Sequence, residues 1–186
     1  MNKKVILMIL DGWGKSPDPK VSAIDNANIP FINSLYKNYP SAQLRTDGLN
    51  VGLPEGQIGN SEVGHMNLGA GRIVYQDLAK INLAVANNTL AKEQVLVDAF
   101  TYAKANNKKV HFLGLVSDGG VHSHTSHLRG LIDATQQHGL QKVFVHAFTD
   151  GRDVDPKSGK QYIQDLQNYI ANTTVKLASV VGRYYA

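Results

Sequence analysis

Residues 110–120 read VHFLGLVSDGG, a short apolar run that stops at a polar, glycine-rich turn. An apolar run of this length between turn residues is typical of a strand buried in a sheet. The same pattern recurs further along the chain, at 143–148 (VFVHAF) and at 175–181 (VKLASVV). We therefore predict three strands in this part of the chain.

Apolar residues at helical spacing lie before and between these strands. They fall at 96–103, 128–132 and 162–170, and Asp155-Pro156 is a favourable helix start because proline at the first helical position gives up only an unpaired amide. Strands that alternate with helices imply right-handed crossovers and parallel pairing. The sequence therefore predicts an α/β fold with a parallel sheet.

The preceding part of the chain has a different character. Residues 5–10 (VILMIL) run into Asp11-Gly12, which predicts a buried strand, and residues 42–46 predict a second. A short helix is expected to include residues 33–36, and residues 47–60 form a Gly/Pro-rich loop. The Gly-rich segment ends near residues 75–77, where helical sequence begins. We therefore expect a domain boundary at this point, with domains at 1–75 and 76–186.

Composition excludes several classes of protein. The 186 residues are 42% hydrophobic, which is enough to build a core, and no apolar run approaches the roughly 18 residues of a membrane span. Cysteine is absent, which excludes a disulfide framework and fits a reducing compartment. The net charge of +4 is spread over scattered lysines, which argues against nucleic-acid binding. We expect a soluble cytoplasmic protein without a membrane partner.

Charged side chains follow each of the three predicted strands. They are His122, the pair Arg152 and Asp153, and Arg183. Ligands of parallel sheets bind outside the carboxyl ends of the strands, where guanidinium groups hold carboxylate or phosphate and an Asp or His moves a proton. Each residue alone is more often a solvated or capping side chain. Three strand ends together favour a site for a small anion.

Two other clusters contain reactive residue types. His122, His124 and His127 suggest a metal site, but their spacing crosses a loop-to-helix junction, so we expect His124 and His127 to be capping or solvated. Ser61 lies in GQIGNSEVGH (56–65), where it is either a helix N-cap or a hydroxyl facing the amides that bind phosphate. The segment is neither a nucleophile elbow nor a P-loop.

Five motifs in this order resemble one enzyme family over essentially the whole chain. They are LDGWG (10–14), GLPEGQIGNSEVGH (52–65), LVSDGGVHSH (115–124), AFTDGRD (147–153) and GRYYA (182–186). The family is that of the cofactor-independent (2,3-bisphosphoglycerate-independent) phosphoglycerate mutases.

This resemblance implies a fold and an activity. The fold would be a three-layer α/β/α arrangement, with parts of an alkaline-phosphatase-like domain and of a transferase domain. The activity would be interconversion of 3-phosphoglycerate and 2-phosphoglycerate in glycolysis and gluconeogenesis through a phosphoserine intermediate. Two Mn²⁺ ions, or Mg²⁺ or another divalent ion, would serve as cofactors, with no bound 2,3-bisphosphoglycerate, in an enzyme expected to be monomeric.

The resemblance also assigns roles to residues. Ser61 would be the nucleophile and, with Asp11, a metal ligand. His122, Arg152, Asp153 and Arg183 would bind substrate, and Asp153 would carry the proton of the glycerate hydroxyl.

Chains of the family continue well past the GRYYA motif. We therefore expect an amino-terminal part of a mutase, inactive alone and weak in Mn²⁺ binding, with residues 5–10 poorly packed, prone to aggregation or covered by another molecule. The alternatives are another phosphatase or phosphomutase of the alkaline phosphatase superfamily, which His122 and Arg152-Asp153 disfavour, and a non-catalytic anion-binding module.

Overall fold

A computed structural model describes residues 4–186 of the chain. Its helices and strands are, in order, α1 (Pro30–Asn38), α2 (Ser61–Ala70), α3 (Asp77–Ala86), α4 (Gln94–Ala105), β1 (Val110–Leu115), α5 (Thr125–Gln137), β2 (Val143–Thr149), α6 (Gly159–Ile170) and β3 (Val175–Gly182).

The three strands form one parallel sheet in the order β1-β2-β3. Val110 pairs with Val143, and Val143 pairs with Val175, so the three strands begin at the same level of the sheet. A register shift after Val145 leaves one extra residue in β3 before Ser179. The predicted parallel α/β fold is confirmed, and so are all three of its strands.

The core lies on one face of this sheet. Val143, Val145 and Ala147 of β2 alternate with partly exposed residues, as expected for a strand with one buried face. Side chains of α4, α5 and α6, including Phe100, Ile132 and Leu166, complete the cluster. Burying each large side chain of this kind contributes about 1.5–3 kcal/mol. This face therefore holds β1, β2 and β3 at fixed positions, which fixes the loops that follow them.

The opposite face of the sheet is open. Leu113 in β1 is 65% exposed, and Lys176 and Ser179 in β3 are also exposed. Consecutive right-handed crossovers in one direction place α5 and α6 on the same side. Residues 4–186 thus supply two layers of the expected three-layer arrangement.

The two strands predicted in the first part of the chain are wrong. Residues 5–10 and 42–46 form no strand, and Val5 and Ile6 are 91% and 86% exposed. A strand requires a neighbour to pair its amides and carbonyls, and neither segment has one within residues 4–186, where only Asp47 and Ile58 form an isolated bridge nearby. The expectation that residues 5–10 are poorly packed is confirmed, and the helix expected at 33–36 lies within α1.

None of the helices described between residues 4 and 186 combines the length and the apolar character needed to cross a bilayer.

Candidate functional site

Ser61 is the first residue of α2, and its hydroxyl does not cap the helix. The side chain of Asn60 accepts a hydrogen bond from the Val63 amide at 3.0 Å, which makes Asn60 the N-cap. The N-cap interpretation of Ser61 is therefore wrong. Its hydroxyl remains available for another partner at the positive end of the helix dipole.

The loop before α2 is held by close backbone contacts. The Gly48 amide donates to the Gln57 carbonyl at 2.9 Å, and a Cβ added to Gly59 would lie only 1.7 Å from the Thr46 carbonyl oxygen. Only glycine permits this approach at residue 59. The contact fixes where the chain enters α2 and so where Ser61 lies.

Asp11 and Ser61 are in direct contact. Ser61 Oγ donates to Asp11 Oδ2 at 2.8 Å, and His65 Nδ1 lies 2.8 Å from the Ser61 carbonyl and 3.2 Å from Ser61 Oγ. A carbonyl oxygen only accepts, so in this arrangement Nδ1 of His65 carries the hydrogen. The Ser61 hydroxyl hydrogen is therefore directed at Asp11. His65, which lies one helical turn after Ser61, was not among the predicted site residues.

The Asp11 and Ser61 pair fits a hard divalent cation in chemical type. Carboxylate and hydroxyl oxygens are the donors that Mg²⁺ and Mn²⁺ prefer. Between residues 4 and 186, no group of three or more His, Cys, Asp or Glu side chains is arranged to hold a metal ion. Asp11 and Ser61 thus provide two oxygen atoms of the chemical type that such an ion binds.

A second group of residues lies at the carboxyl ends of the strands, with Asp150 at its centre. The Asp150 side chain is 2% exposed. It accepts hydrogen bonds from Ser117 Oγ at 2.7 Å, from the amides of Arg152 and Asp153 at 3.1 Å, and from Arg183 Nη1 at 2.8 Å. Burial alone would raise the pKa of Asp150, but these hydrogen bonds outweigh it and hold the pKa well below its ordinary value. Asp150 is therefore ionised at neutral pH.

Arg183 connects Asp150 with Asp153. Its Nη1 donates to one oxygen of each carboxylate at 2.8 Å, and both hydrogen bonds raise the pKa of Arg183, with that to Asp153 the larger cause. His122 Nε2 lies 3.7 Å from Asp153 Oδ2. The structure thus brings three predicted residues together: His122, Asp153 and Arg183.

Arg152 is the exception among the strand-end residues. Its backbone amide binds Asp150, but its guanidinium is exposed and forms no hydrogen bond with any part of the chain between residues 4 and 186. Anion binding by this side chain therefore stays a prediction.

His124 and His127 both form hydrogen bonds with other residues of the chain. His124 accepts a hydrogen bond from the Ser126 amide at 3.1 Å and caps α5, as predicted. Nε2 of His127 is bonded to the Asn82 side chain, and the pKa of His127 is lowered by burial and by His124. The expectation of a capping or solvated side chain is therefore wrong for His127, because Asn82 of α3 binds its imidazole in a partly buried position.

Sequence reasoning missed Asp150, Ser117 and the contact of Tyr162 with Asp118. Asp150 precedes glycine, a pattern typical of a turn, although its place directly after β2 is also typical of a site residue. Tyr162 was assigned to the apolar face of its helix, but its hydroxyl donates to Asp118 in the loop after β1. That hydrogen bond is the main cause of the raised pKa of Tyr162.

The fold and the two groups of residues define an α/β protein with a serine-carboxylate pair and a charged cluster at the strand ends. Residues 81–186 match the family model described as the BPG-independent PGAM N-terminus. The chain therefore belongs to the BPG-independent phosphoglycerate mutases.

Relatives and a solved structure agree with this assignment. The chain is 89% identical over 186 residues to the 2,3-bisphosphoglycerate-independent phosphoglycerate mutase of Flavobacterium johnsoniae, and 54% identical to that of Parabacteroides distasonis. Each match covers 100% of this chain and 37% of the relative. The phosphoglycerate mutase of Leishmania mexicana, crystallised at low cobalt concentration, matches with 30% identity and a TM-score of 0.56, over 84% of this chain and 29% of that one. The chain thus spans little more than a third of the length of these relatives.

Proposed function

We propose that this chain is part of an enzyme that interconverts 3-phosphoglycerate and 2-phosphoglycerate through a phosphoserine at Ser61. The observation that carries the proposal is the 2.8 Å contact of Ser61 Oγ with Asp11 at the start of α2. An exposed hydroxyl beside a carboxylate, at a helix N-terminus whose amides favour phosphate, is equipped to accept a phosphoryl group.

The residues around Ser61 support a role in phosphoryl transfer. Asp11 orients the hydroxyl, and the N-terminus of α2 carries about half a positive charge that stabilises a phosphate. Asp11 and Ser61 would hold one divalent cation. Two Mn²⁺ ions, or Mg²⁺, would lower the pKa of the serine hydroxyl and neutralise charge on the phosphate. No 2,3-bisphosphoglycerate takes part in the proposed reaction.

The strand-end cluster would bind the glycerate. Arg183 and Arg152 pair with the carboxylate or phosphate, and Asp153 with His122 exchanges protons with the hydroxyl groups. When the phosphoryl group leaves O3 for Ser61 Oγ, the Ser61 hydroxyl gives up its proton, for which Asp11 is the adjacent acceptor, and O3 takes up one proton. When the phosphoryl group moves from Ser61 to O2, the O2 hydroxyl gives up one proton and Ser61 Oγ takes its proton back. Asp153 is proposed to give and take the proton of the glycerate oxygens.

Several broader expectations belong to the same proposal. We divide the chain into residues 1–75, which contain the Asp11–Ser61 pair and the small cluster Val51, Leu53 and Val63, and residues 76–186, which contain the sheet and its core. We also propose a monomeric enzyme of glycolysis and gluconeogenesis in the cytoplasm.

Replacing Ser61 by alanine tests the proposal. The protein for this test is a chimera in which this chain replaces the matching segment of the F. johnsoniae mutase, to which it is 89% identical. We expect Ser61→Ala to abolish interconversion of the two phosphoglycerates while calorimetry still detects 3-phosphoglycerate binding. Ser34→Ala, which removes a hydroxyl that donates to the Phe31 carbonyl in α1, is the matched control and should keep the activity of the parent chimera.

Three outcomes would contradict the proposal. Undiminished interconversion by Ser61→Ala would exclude Ser61 as the nucleophile. Release of inorganic phosphate without 2-phosphoglycerate would indicate a phosphatase. Binding without turnover by the unmodified chimera would indicate an anion-binding module.

A further inference from the structure

We propose that Asp150 is the positioning residue of the strand-end cluster, holding Arg183 and Asp153 in the arrangement that receives the substrate. The inference rests on the proposed function for the identity of that substrate, whereas the arrangement itself rests on geometry. Asp150 acts through its neighbours and need not touch the ligand.

One carboxylate joins three segments of the chain. Asp150 Oδ2 accepts from Ser117, which follows β1, and Asp150 Oδ1 accepts from the amides of Arg152 and Asp153 and from Arg183, which follows β3. Asp150 itself follows the central strand β2. Because both oxygens are occupied and the side chain is 2% exposed, the carboxylate has little freedom to move. It fixes the relative positions of the loops after all three strands.

The hydrogen-bond geometry explains why the orientation of the Arg183 guanidinium depends on Asp150. Nη1 of Arg183 lies 2.8 Å from Asp150 and 2.8 Å from Asp153, so a single nitrogen serves both carboxylates. A guanidinium has five N–H donors in a rigid plane, and fixing one nitrogen fixes the direction of the others. The other N–H donors of Arg183 are thereby held in fixed directions, and the side chain is still 23% exposed, so a ligand can reach it.

Asp150 also competes with Asp153 for the Arg183 guanidinium. The single positive charge of Arg183 is shared between two carboxylates, so it does not fully neutralise Asp153. Without Asp150, Arg183 would pair with Asp153 alone, and both would be less available to a substrate.

A double-mutant cycle in the F. johnsoniae chimera tests the inference. Asp150→Asn keeps the shape and removes the charge, and we expect it to lower kcat/KM by about 100-fold when Arg183 is present. In the Arg183→Ala background the same change should cost less than about threefold, because the residue through which Asp150 acts is gone. Equal factors in both backgrounds would overturn the inference.

Two further variants keep the cycle decisive. Asp133→Asn removes a carboxylate that accepts from Tyr169 at 2.7 Å, outside the cluster, and should leave kcat/KM unchanged. Ser117→Ala removes one of the hydrogen bonds to Asp150 and keeps its charge, so it serves if Asp150→Asn does not fold. We expect about a fivefold loss for Ser117→Ala, confined to the background that retains Arg183, and an equal loss in both backgrounds would overturn the inference.

A measurement without substrate separates this inference from the proposed function. In ¹⁵N-arginine-labelled chimera, with the Arg183 signals assigned by Arg183→Lys, we expect slow rotation and slow hydrogen exchange of the Arg183 guanidinium. Ser117→Ala or Asp150→Asn should accelerate both at least tenfold, and Asp133→Asn should not. If the chimera fails to interconvert phosphoglycerates but this result holds, the proposed function fails and the positioning role stands. An Arg183 guanidinium that is equally mobile in all variants would contradict the positioning role.

Discussion

At the scale of single residues, the two groups of candidate site residues are held in different ways. The Asp11–Ser61 pair is exposed, and its geometry depends on the backbone entry into α2. The strand-end cluster depends on one buried carboxylate, Asp150, and on the guanidinium of Arg183. Charge in a poorly solvated position makes the second group sensitive to the loss of any one partner.

The depressed pKa of Asp150 makes stability depend on pH. Its folded pKa lies below the ordinary value of about 4, so the contribution is present above about pH 4 and is lost as the pH falls through the folded value. At pH 7 we expect Asp150→Asn to lower the free energy of unfolding by about 3 kcal/mol. Urea unfolding of both proteins between pH 7 and pH 2.5 should show this difference constant above about pH 5 and shrinking below about pH 4. A stability difference between the two proteins that stays constant from pH 7 to pH 2.5 would show that Asp150 does not have a lowered pKa in the folded protein.

The location of its partners decides whether a site residue can be predicted from the sequence. His122, Asp153 and Arg183 are predictable because each follows an apolar strand, and parallel strands end at one edge. Asp150 also follows a strand, but an Asp before Gly is common in turns, and its hydrogen bond with Arg183, 33 residues later, is not visible in the local sequence pattern. The contact of Asp11 with Ser61 spans 50 residues and came only from the family resemblance.

At the scale of elements, local pattern was sufficient for β1, β2 and β3 and misleading for residues 5–10. The three strands pair with one another and bury one face, so their apolar residues reflect contacts within the described chain. Residues 5–10 have an equally apolar sequence but no strand to pair with between residues 4 and 186. The hydrophobicity of a segment alone does not show whether a neighbouring strand is present to pair with it.

A hydrogen bond between elements should control the loop that carries His122. Tyr162 in α6 donates to Asp118 in the loop after β1, so Tyr162→Phe should release that loop. We expect a loss of about 1 kcal/mol in the free energy of unfolding and faster amide hydrogen exchange at residues 118–122.

Tyr169 provides the control on the same helix. Its hydroxyl donates to Asp133 at 2.7 Å, away from the loop, so Tyr169→Phe should reduce stability without changing exchange at residues 118–122. Unchanged exchange in Tyr162→Phe, or the same acceleration in both variants, would show that the Asp118 contact does not hold the loop.

At the scale of the whole molecule, residues 4–186 contain one well-packed unit and several unpartnered surfaces. The core on one face of the sheet is closed, whereas Leu113 on the other face and Val5 and Ile6 in the first segment are 65%, 91% and 86% exposed. The relatives are longer, with this chain matching 37% of the length of the F. johnsoniae mutase. We therefore expect catalysis to require the chimera, and the 186-residue chain alone to show neither turnover nor tight Mn²⁺ binding.

The most direct test of the account is to find where the phosphoryl group resides during the reaction. The chimera is mixed with 3-phosphoglycerate labelled with ³²P and Mn²⁺, quenched within milliseconds and digested, and the labelled peptide is sequenced by mass spectrometry. We predict label on Ser61 that appears before labelled 2-phosphoglycerate and is absent from Ser61→Ala and from the 186-residue chain alone. Interconversion with no label on Ser61, or with label on another residue, would contradict the account.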